Sequence, residues 1–203
     1  GSFRVMDALS TLAFDYPPRA RFFRSELREL LLLAREENKD PLELIGSYAG
    51  AMGYGQFIPS SFRAYAIDFD GDGTRDIWSS QTDAIGSVAN YFSRHGWDGE
   101  SPIAVPVTVT DERADQFANQ GLKPKRSIAE LRKAGVEHVS LPDKTLGALF
   151  RLEGRDGWEY WLGLHDFYVV TRYNHSHMYA LAVVQLSEAV RSRWDDVRKP
   201  DRL

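Results

Sequence analysis

Cysteine is absent from the 203-residue chain. Disulfide bonds, thiol catalysis and zinc–thiolate sites are therefore excluded. The sequence also lacks an apolar run of the length that a membrane span needs, and no signal peptide is visible at its start. These absences indicate a globular chain without a membrane span, long enough for one domain or for one domain with a lobe.

Neither sign of charge is in large excess. Lys and Arg number 25 against 29 Asp and Glu, which gives a formal net charge of −4. Proteins that bind nucleic acids normally carry a basic stripe. The basic clusters here, such as residues 123–126, are short and typical of a solvated loop. We therefore expect no nucleic-acid partner.

Several catalytic and cofactor motifs are missing as well. The chain has no Gly-Lys-Ser/Thr phosphate loop, no dinucleotide-binding glycine motif and no G-x-S-x-G nucleophile elbow. An organic cofactor is therefore not expected. A carboxylate pair for glycoside hydrolysis is hard to nominate. The candidates lie on the charged face of a predicted helix, where carboxylates are usually solvated, and are Glu26, Glu29, Glu36 and Glu37.

Residues 68–83 carry acidic side chains around a glycine turn. Alternating carboxylates followed by glycine match the first half of an EF-hand loop, which surrounds calcium with oxygen atoms. Thr74 would contribute its backbone carbonyl. Ser79 stands where that loop normally has a bidentate Glu, so Asp83 is expected to close the shell from the next helix. The expected ligands are Asp68, Asp70, Asp72, Thr74, Asp76 and Asp83.

A turn rich in Asp and Gly that binds no metal is the alternative for this segment. Four carboxylates within nine residues, at positions 68–76, would repel one another without a cation. The pattern therefore favours calcium in a structural role.

Hydrophobic periodicity divides the chain into a helical body and a β-rich lobe. Before residue 99, apolar residues recur at helical spacing, with faces at Val5 and Leu9 and at Ile85 and Val88. After Pro102, alternating valines, a capping box at residues 127–130 and a hairpin over 146–162 indicate the lobe. A strand at 167–170 and a final helix from about 178 to 191 follow. The predicted fold class is α+β, mainly α, with segments 1–99, 100–170 and 171–203.

A glycine-rich loop at residues 46–57 combines four glycines with aromatic and neutral polar side chains. Small residues, rings and hydrogen-bonding groups without a phosphate-binding motif suit a carbohydrate. Tight packing of glycine between two helices is the alternative. A second polar cluster, residues 172–179, contains Asn174 or Ser176 as a helix cap and a weak zinc candidate in His175 and His177.

These motifs resemble the membrane-bound lytic transglycosylase B family of bacteria, which cleaves the glycan strand of peptidoglycan. The matching blocks follow one another along the chain and are residues 7–17, 46–57, 59–61, 68–73, 83–91 and 171–176. The resemblance implies a lysozyme-like helical core with an EF-hand-type calcium loop. It also implies a groove that binds the glycan strand, lined by Ser47, Gln56, Tyr91, Tyr173, Asn174 and Tyr179. The composition of the glycine-rich loop adds Tyr54 to these expected glycan-binding residues.

The reaction that the resemblance implies needs one Glu, which protonates the leaving oxygen and then takes the proton from the muramic acid C6 hydroxyl. In the family this Glu belongs to a Val-Glu-Thr-like stretch before the segment that matches residues 1–7. No Glu in this chain has a matching context, so the catalytic residue is expected before residue 1 and the isolated chain is expected to be inactive.

The expected partners are peptidoglycan glycan strands, with cell-wall synthesis proteins left open. The expected location is the periplasm, with an outer-membrane anchor on the parent protein left open. Two alternatives remain for the function: a non-catalytic, calcium-stabilised glycan-binding module, and a calcium-binding interaction protein unrelated to sugars.

Overall fold

A computed structural model describes residues 1–198 and divides the chain into two compact units, Gly1–Arg94 and the part that begins at His95. Their boundary lies a few residues before the predicted end of the helical body. Whether residues 171–203 return to that body stays a prediction. Within the described residues, none of the helices is long and apolar enough to cross a membrane.

The first unit is built on a pair of helices. Strand β1 (Phe3–Arg4) leads into α1 (Val5–Phe14), and α2 (Ala20–Glu36) packs against α1. Between them, a 3₁₀ turn at Pro17–Arg19 contains both prolines that were expected to break the chain. Val5 and Leu9 are fully buried, as the periodicity predicted. Strand β2 (Ile45–Gly46) pairs antiparallel with β1. The first unit was predicted to be helical, and it therefore also contains a short two-stranded sheet.

Two shorter helices complete the first unit. Helix α3 (Pro59–Tyr65) begins with proline in its first turn, where the missing N–H is not needed. Helix α4 (Gln81–Arg94) follows the acidic loop. The predicted apolar face of α4 is wrong, because Ile85 is 70% exposed. The buried face instead contains Asp83, Ala84, Gly86, Ser87 and Tyr91.

The second unit contains a five-stranded antiparallel sheet with the order β4-β6-β7-β3-β5. Its strands are β3 (Ala104–Val109), β4 (Arg126–Ser127), β5 (Val136–Glu137), β6 (Leu146–Gly154) and β7 (Gly157–Gly163). The hairpin of β6 and β7 and the strand β3 confirm the strands predicted for this region. Helix α5 (Ile128–Lys133) begins with the expected capping box, in which Ser127 and Glu130 satisfy each other's backbone N–H groups.

Two helices end the described chain, α6 (His165–Tyr173) and α7 (His177–Arg198). The predicted strand at 167–170 is therefore wrong. A short apolar run does not distinguish a strand from a buried helix, and here Phe167, Val170 and Thr171 share one buried helical face. Helix α7 begins one residue before the predicted start and continues well beyond residue 191.

Candidate functional site

The acidic loop between α3 and α4 brings three carboxylates together. Oxygen atoms of Asp68, Asp70 and Asp72 lie within 4.8 Å of one another. Within residues 1–198, none of the three forms a salt bridge with Lys or Arg. Like charges at this separation repel. The loop therefore offers a cluster of hard oxygen atoms with uncompensated negative charge, the donor set that calcium prefers.

Backbone amides hold these carboxylates in place. Asp68 accepts hydrogen bonds from the N–H groups of Gly71 at 2.7 Å, Asp72 at 3.1 Å and Gly73 at 2.8 Å. Asp72 accepts from the backbone N–H of Thr74 at 2.8 Å and from its hydroxyl at 2.7 Å. The loop backbone therefore turns around the carboxylate of Asp68, which fixes the spacing of the acidic cluster.

Asp83 connects the two ends of the loop from the first turn of α4. Its side chain is fully buried. One oxygen accepts from the N–H groups of Phe69 at 2.8 Å and Asp70 at 3.3 Å, and the other accepts from Asp76 at 2.9 Å. Burial by itself raises the pKa of Asp83, but these backbone hydrogen bonds outweigh it and the pKa lies below its ordinary value. Asp83 thus stays ionised and braces the loop.

Asp76 occupies the far end of the loop. Its carboxylate accepts from the backbone N–H groups of Trp78 at 2.9 Å and Ser79 at 3.0 Å, and from the Ser79 hydroxyl. Burial opposes ionisation of Asp76, but the hydrogen bonds from Ser79 and Trp78 lower its pKa below the ordinary value. Ser79, at the position where an EF-hand has Glu, therefore supports Asp76 through a hydrogen bond.

The glycine-rich loop packs tightly on the core of the first unit. Gly50 has a φ of +81°, and a Cβ there would lie 2.6 Å from the Leu9 side chain. Gly53 has a φ of +65°, and a Cβ there would lie 2.5 Å from the carbonyl oxygen of Ile77. Glycine is needed at these two positions, since only glycine combines such dihedrals with such close approach. Gly50 packs on helix α1, whereas Gly53 packs on a turn and not between two helices as the alternative held.

The polar residues of the same loop are held in defined positions. The Ser47 hydroxyl oxygen accepts from the N–H groups of Ala49 at 3.2 Å and Ala51 at 3.1 Å. Gln56 is exposed yet has a φ of +49°, which is uncommon for a residue with a side chain. Its side-chain amide donates to the Gly53 carbonyl at 2.9 Å. An exposed amide on a residue held in the left-handed backbone region points to a functional role.

Tyr54 and α4 enclose a shallow apolar pocket of about 280 Å³ in the first unit. The pocket is lined by Tyr54, Gly55, Ala84, Ile85 and Val88. The exposed Ile85 face of α4 therefore lines this pocket and not the core. Tyr91 is 8% exposed and its ring packs edge-on against Tyr65, with ring centroids 4.8 Å apart.

The second unit carries the other predicted glycan-binding residues at the junction of α6 and α7. Asn174 ends α6 and is exposed, Tyr173 is half-buried, and Tyr179 is 37% exposed. The α7 cap is Ser176, whose hydroxyl accepts from the Tyr179 N–H at 3.2 Å. Because Ser176 supplies this cap, Asn174 is not needed for it.

Neither histidine of this junction belongs to a three-ligand cluster within the described part of the chain. His177 stacks on Phe150 with centroids 5.1 Å apart, and burial lowers its pKa. His175 lies 3.3 Å from an Arg172 nitrogen atom.

The four candidate carboxylates, three in α2 and Glu37 directly after it, are engaged in structural contacts. Glu26 is 4% exposed and accepts from the backbone N–H of Ser60 at 3.0 Å, so its predicted solvation is wrong. The sequence analysis placed Glu26 on the charged face of the helix, whereas the structure places it on the buried face together with apolar residues. Glu29 and Glu36 both pair with Arg63, and Glu37 pairs with Arg75.

One mixed cluster escaped the sequence analysis. Ligand atoms of Asp98, His165 and Asp166 lie within 4.8 Å of one another in the second unit. Asp166 is buried and accepts from the N–H groups of Asp98 at 3.2 Å and Gly99 at 2.9 Å. These hydrogen bonds give the buried Asp166 carboxylate a structural role, because they hold the turn at residues 98–99 in place. The adjacent pair at 165–166 was the only signal for it in the sequence.

Comparison with known proteins gives consistent matches. The family model of the transglycosylase SLT domain matches residues 1–188. The membrane-bound lytic murein transglycosylase B of Escherichia coli (strain K12) is 50% identical over 195 residues, which cover 94% of this chain and 52% of the relative. The chain therefore spans about half the length of this curated relative.

Two solved structures show how far the similarity extends in three dimensions. The soluble lytic transglycosylase SltB1 from Pseudomonas aeruginosa is 59% identical with a TM-score of 0.90, covering 95% of this chain and 65% of that chain. The Escherichia coli lytic transglycosylase Slt35 in complex with calcium is 49% identical with a TM-score of 0.87, covering 95% of this chain and 61% of that chain.

Proposed function

Because the chain belongs to the transglycosylase SLT domain family, we propose that its parent protein is a peptidoglycan lytic transglycosylase. Its fold is that of the lysozyme-like lytic transglycosylases. The observation that carries the proposal is the family match over residues 1–188, which includes the glycine-rich loop, the acidic loop and the α6–α7 junction. Substrate would be the glycan strand of the periplasmic cell wall.

The proposed reaction cleaves the bond between N-acetylmuramic acid and N-acetylglucosamine without water. A Glu would first donate a proton to the leaving oxygen and then accept one from the C6 hydroxyl, which closes a 1,6-anhydro ring on C1. We assign none of the four candidate carboxylates to this role, because Glu26 is buried against Ser60 and Glu29, Glu36 and Glu37 are paired with arginine.

The proposed glycan-binding residues are Ser47, Tyr54, Gln56, Tyr91, Tyr173, Asn174 and Tyr179. Gln56 is supported by its exposure and its left-handed backbone, and Tyr54 by the apolar pocket that its ring lines. Amide groups suit N-acetyl and hydroxyl groups, while tyrosine offers a flat apolar ring with a polar tip.

Calcium is proposed as a structural ion of the 68–83 loop. The carboxylate cluster of Asp68, Asp70 and Asp72 fits the ion because its charge is uncompensated and its donors are hard oxygen atoms. Thr74 and Asp76 would add oxygen ligands. Asp83 would act through the loop that it braces, or as a ligand through the remaining lone pairs of its carboxylate. A bound ion would stabilise this loop and leave the chemistry to other groups.

Activity is tested on purified peptidoglycan, with the 203-residue chain and the full gene product assayed side by side for 1,6-anhydromuropeptides. We expect product from the full gene product and none from the isolated chain. Product from the isolated chain would show that one of its own carboxylates serves as the acid. A full gene product without anhydro products would refute the proposed reaction.

The role of Gln56 is tested in the active protein with Gln56→Ala and Gln56→Gly. Both variants remove the amide, and glycine also relieves the strained φ. Loss of one neutral hydrogen bond costs about 1 kcal/mol, so both should lower kcat/KM about fivefold. Gln185→Ala, at an exposed position of α7, is the matched control and should keep full activity. Retention of full activity by Gln56→Gly would exclude the amide from substrate binding.

A non-catalytic glycan-binding module is the second candidate for the isolated chain. The engagement of all four candidate carboxylates, Glu26, Glu29, Glu36 and Glu37, favours it. Retention of the isolated chain on insoluble peptidoglycan without soluble products would support this role.

A further inference from the structure

The β-rich lobe contains a groove of about 510 Å³ that the proposed reaction does not use. One wall is the 3₁₀ turn Glu112–Phe117, which contributes Gln116 and Phe117. Residues 120–126 form the other wall, and β6 forms the floor at residues 147–149. This size is in the range of sites that bind small molecules or short peptides.

The groove is basic. Lys123, Lys125 and Arg126 line it, and none of the described residues that line it carries a carboxylate. Residues before proline favour an extended backbone, and side chains two positions apart in an extended chain point to the same side. Lys123 and Lys125, on either side of Pro124, are thus suited to act together. The short basic cluster therefore borders a concave surface.

The charge of the two lysines is available to a ligand. Neither Lys123 nor Lys125 forms a salt bridge with any residue in the described range 1–198. Arg126 is more restrained, since its guanidinium lies over the Phe117 ring at 4.9 Å and 3.7 Å from Glu130. Glu130 offsets part of the Arg126 charge and leaves the lysines as the main attraction for an anion.

Polar groups without partners add hydrogen-bonding capacity. The side-chain amides of Gln116 and Gln120 form no hydrogen bond to other residues of the described chain. Each amide both donates and accepts, as a peptide group does. The floor is fixed, because the Lys125 N–H donates to the Gly147 carbonyl at 3.2 Å and Arg126 pairs with Gly147 in the sheet.

We propose that this groove binds a short peptide through its carboxylates, which ion-pair with Lys123 and Lys125 while its amide groups bond to Gln116 and Gln120. Three basic residues are too few for the many phosphate contacts on which nucleic-acid affinity depends. The amides favour a peptide over a simple anion. The inference rests on the proposed function in one respect: the peptide would be the carboxylate-bearing stem peptide of the same peptidoglycan.

The test is a calorimetric titration of the 203-residue chain with the free stem pentapeptide from purified peptidoglycan. A second titration uses the same peptide with its carboxylates converted to amides. We expect the free peptide to bind more weakly as salt rises, and the amidated peptide to bind at least tenfold more weakly. Lys123→Gln/Lys125→Gln should cause a similar loss. Lys144→Gln, an exposed lysine outside the groove, should bind as the unmodified chain does.

Several outcomes would overturn the inference. Equal affinity for the amidated peptide, unchanged binding by the double variant, or no binding by the unmodified chain would each do so. Displacement of the peptide by an equal concentration of inorganic phosphate would show a general anion site instead. Thermal melting checks that the double variant is folded. Its melting temperature should match that of the unmodified chain, because both replaced side chains are exposed. Anhydro product release by the gene product is measured separately, so a failure of the groove and a failure of the proposed reaction are distinguishable.

Discussion

Replacing Asp83 by Asn should destabilise the acidic loop even without calcium. The substitution keeps the size of the side chain but changes one acceptor oxygen into an NH₂ donor. The carboxylate now accepts from Phe69 and Asp70 on one oxygen and from Asp76 on the other. Whichever way the new amide turns, at least one backbone N–H faces a donor in a fully buried position.

The magnitude follows from these hydrogen bonds. A buried donor without a partner costs about 1–3 kcal/mol, and hydrogen bonds to a charged group are stronger than those to a neutral one. We therefore expect Asp83→Asn to lower the free energy of unfolding by about 2–4 kcal/mol. That is a large part of the 5–15 kcal/mol that typically separates folded from unfolded domains.

The calcium-dependent part is separated with a second variant. Asp72 is exposed and belongs to the carboxylate cluster, and among residues 1–198 its side chain accepts hydrogen bonds only from Thr74. Asp72→Ala should keep most of the stability in chelator, because the side chain is exposed, but lose the gain on adding calcium, because it removes an oxygen ligand. That gain is about 2.7 kcal/mol at a calcium concentration of 100 times Kd. Asp15→Asn, an exposed position at the end of α1, is the control and should change neither quantity.

Urea unfolding in chelator and in calcium measures both effects, and amide hydrogen exchange locates them. In Asp83→Asn, the N–H groups of Phe69 and Asp76 should exchange faster than in the unmodified chain. If Asp83→Asn unfolds at the same urea concentration as Asp15→Asn, the bracing role of Asp83 is wrong. If calcium leaves the unmodified chain unchanged, the calcium proposal fails and the bracing role still stands on the chelator data.

Two further predictions concern the start of α7. Ser176→Ala should cost about 1 kcal/mol in urea unfolding, because the Tyr179 N–H loses its cap; Ser176→Asp should retain the cap, and equal stability of both variants would exclude the capping role. Burial lowers the pKa of His177 in the folded chain, so folding favours the neutral imidazole. The stability that His177 contributes is therefore fully present above its pKa in the unfolded chain, about 6.5, and is lost as the pH falls below that value. Between pH 7.5 and 5, the melting temperature should therefore fall more in the unmodified chain than in His177→Gln. The control His138→Asn, at an exposed left-handed position, should follow the unmodified chain. Parallel curves of melting temperature against pH for all three proteins would contradict this assignment.

Local sequence rules predicted the elements whose causes are local. The capping box at Ser127 and Glu130 starts α5, and proline at position 59 starts α3. Alternating valines gave β3, and two apolar runs around a short turn gave the hairpin of β6 and β7. In each case the residues that determine the structure are neighbours in the chain, so tertiary contacts were not needed to identify the element.

Part of the candidate site could also be predicted from the sequence. The alternating Asp residues at 68, 70 and 72 do converge. The glycines at 50 and 53 proved to be packing positions, although not between two helices as the alternative held. The strained φ of Gln56 could not be predicted, because it depends on how the loop folds back on Gly53.

Helix α4 shows most clearly where sequence information ended. Its composition established that a helix follows the acidic loop, but hydrophobic periodicity selected the face with Ile85 and Val88. The tertiary structure buries Asp83 and Ser87 instead, because their oxygen atoms accept hydrogen bonds from backbone N–H groups of the preceding loop. A polar residue can belong to the core only when distant partners satisfy it. Those partners lie up to 20 residues away along the chain, and only folding brings them together.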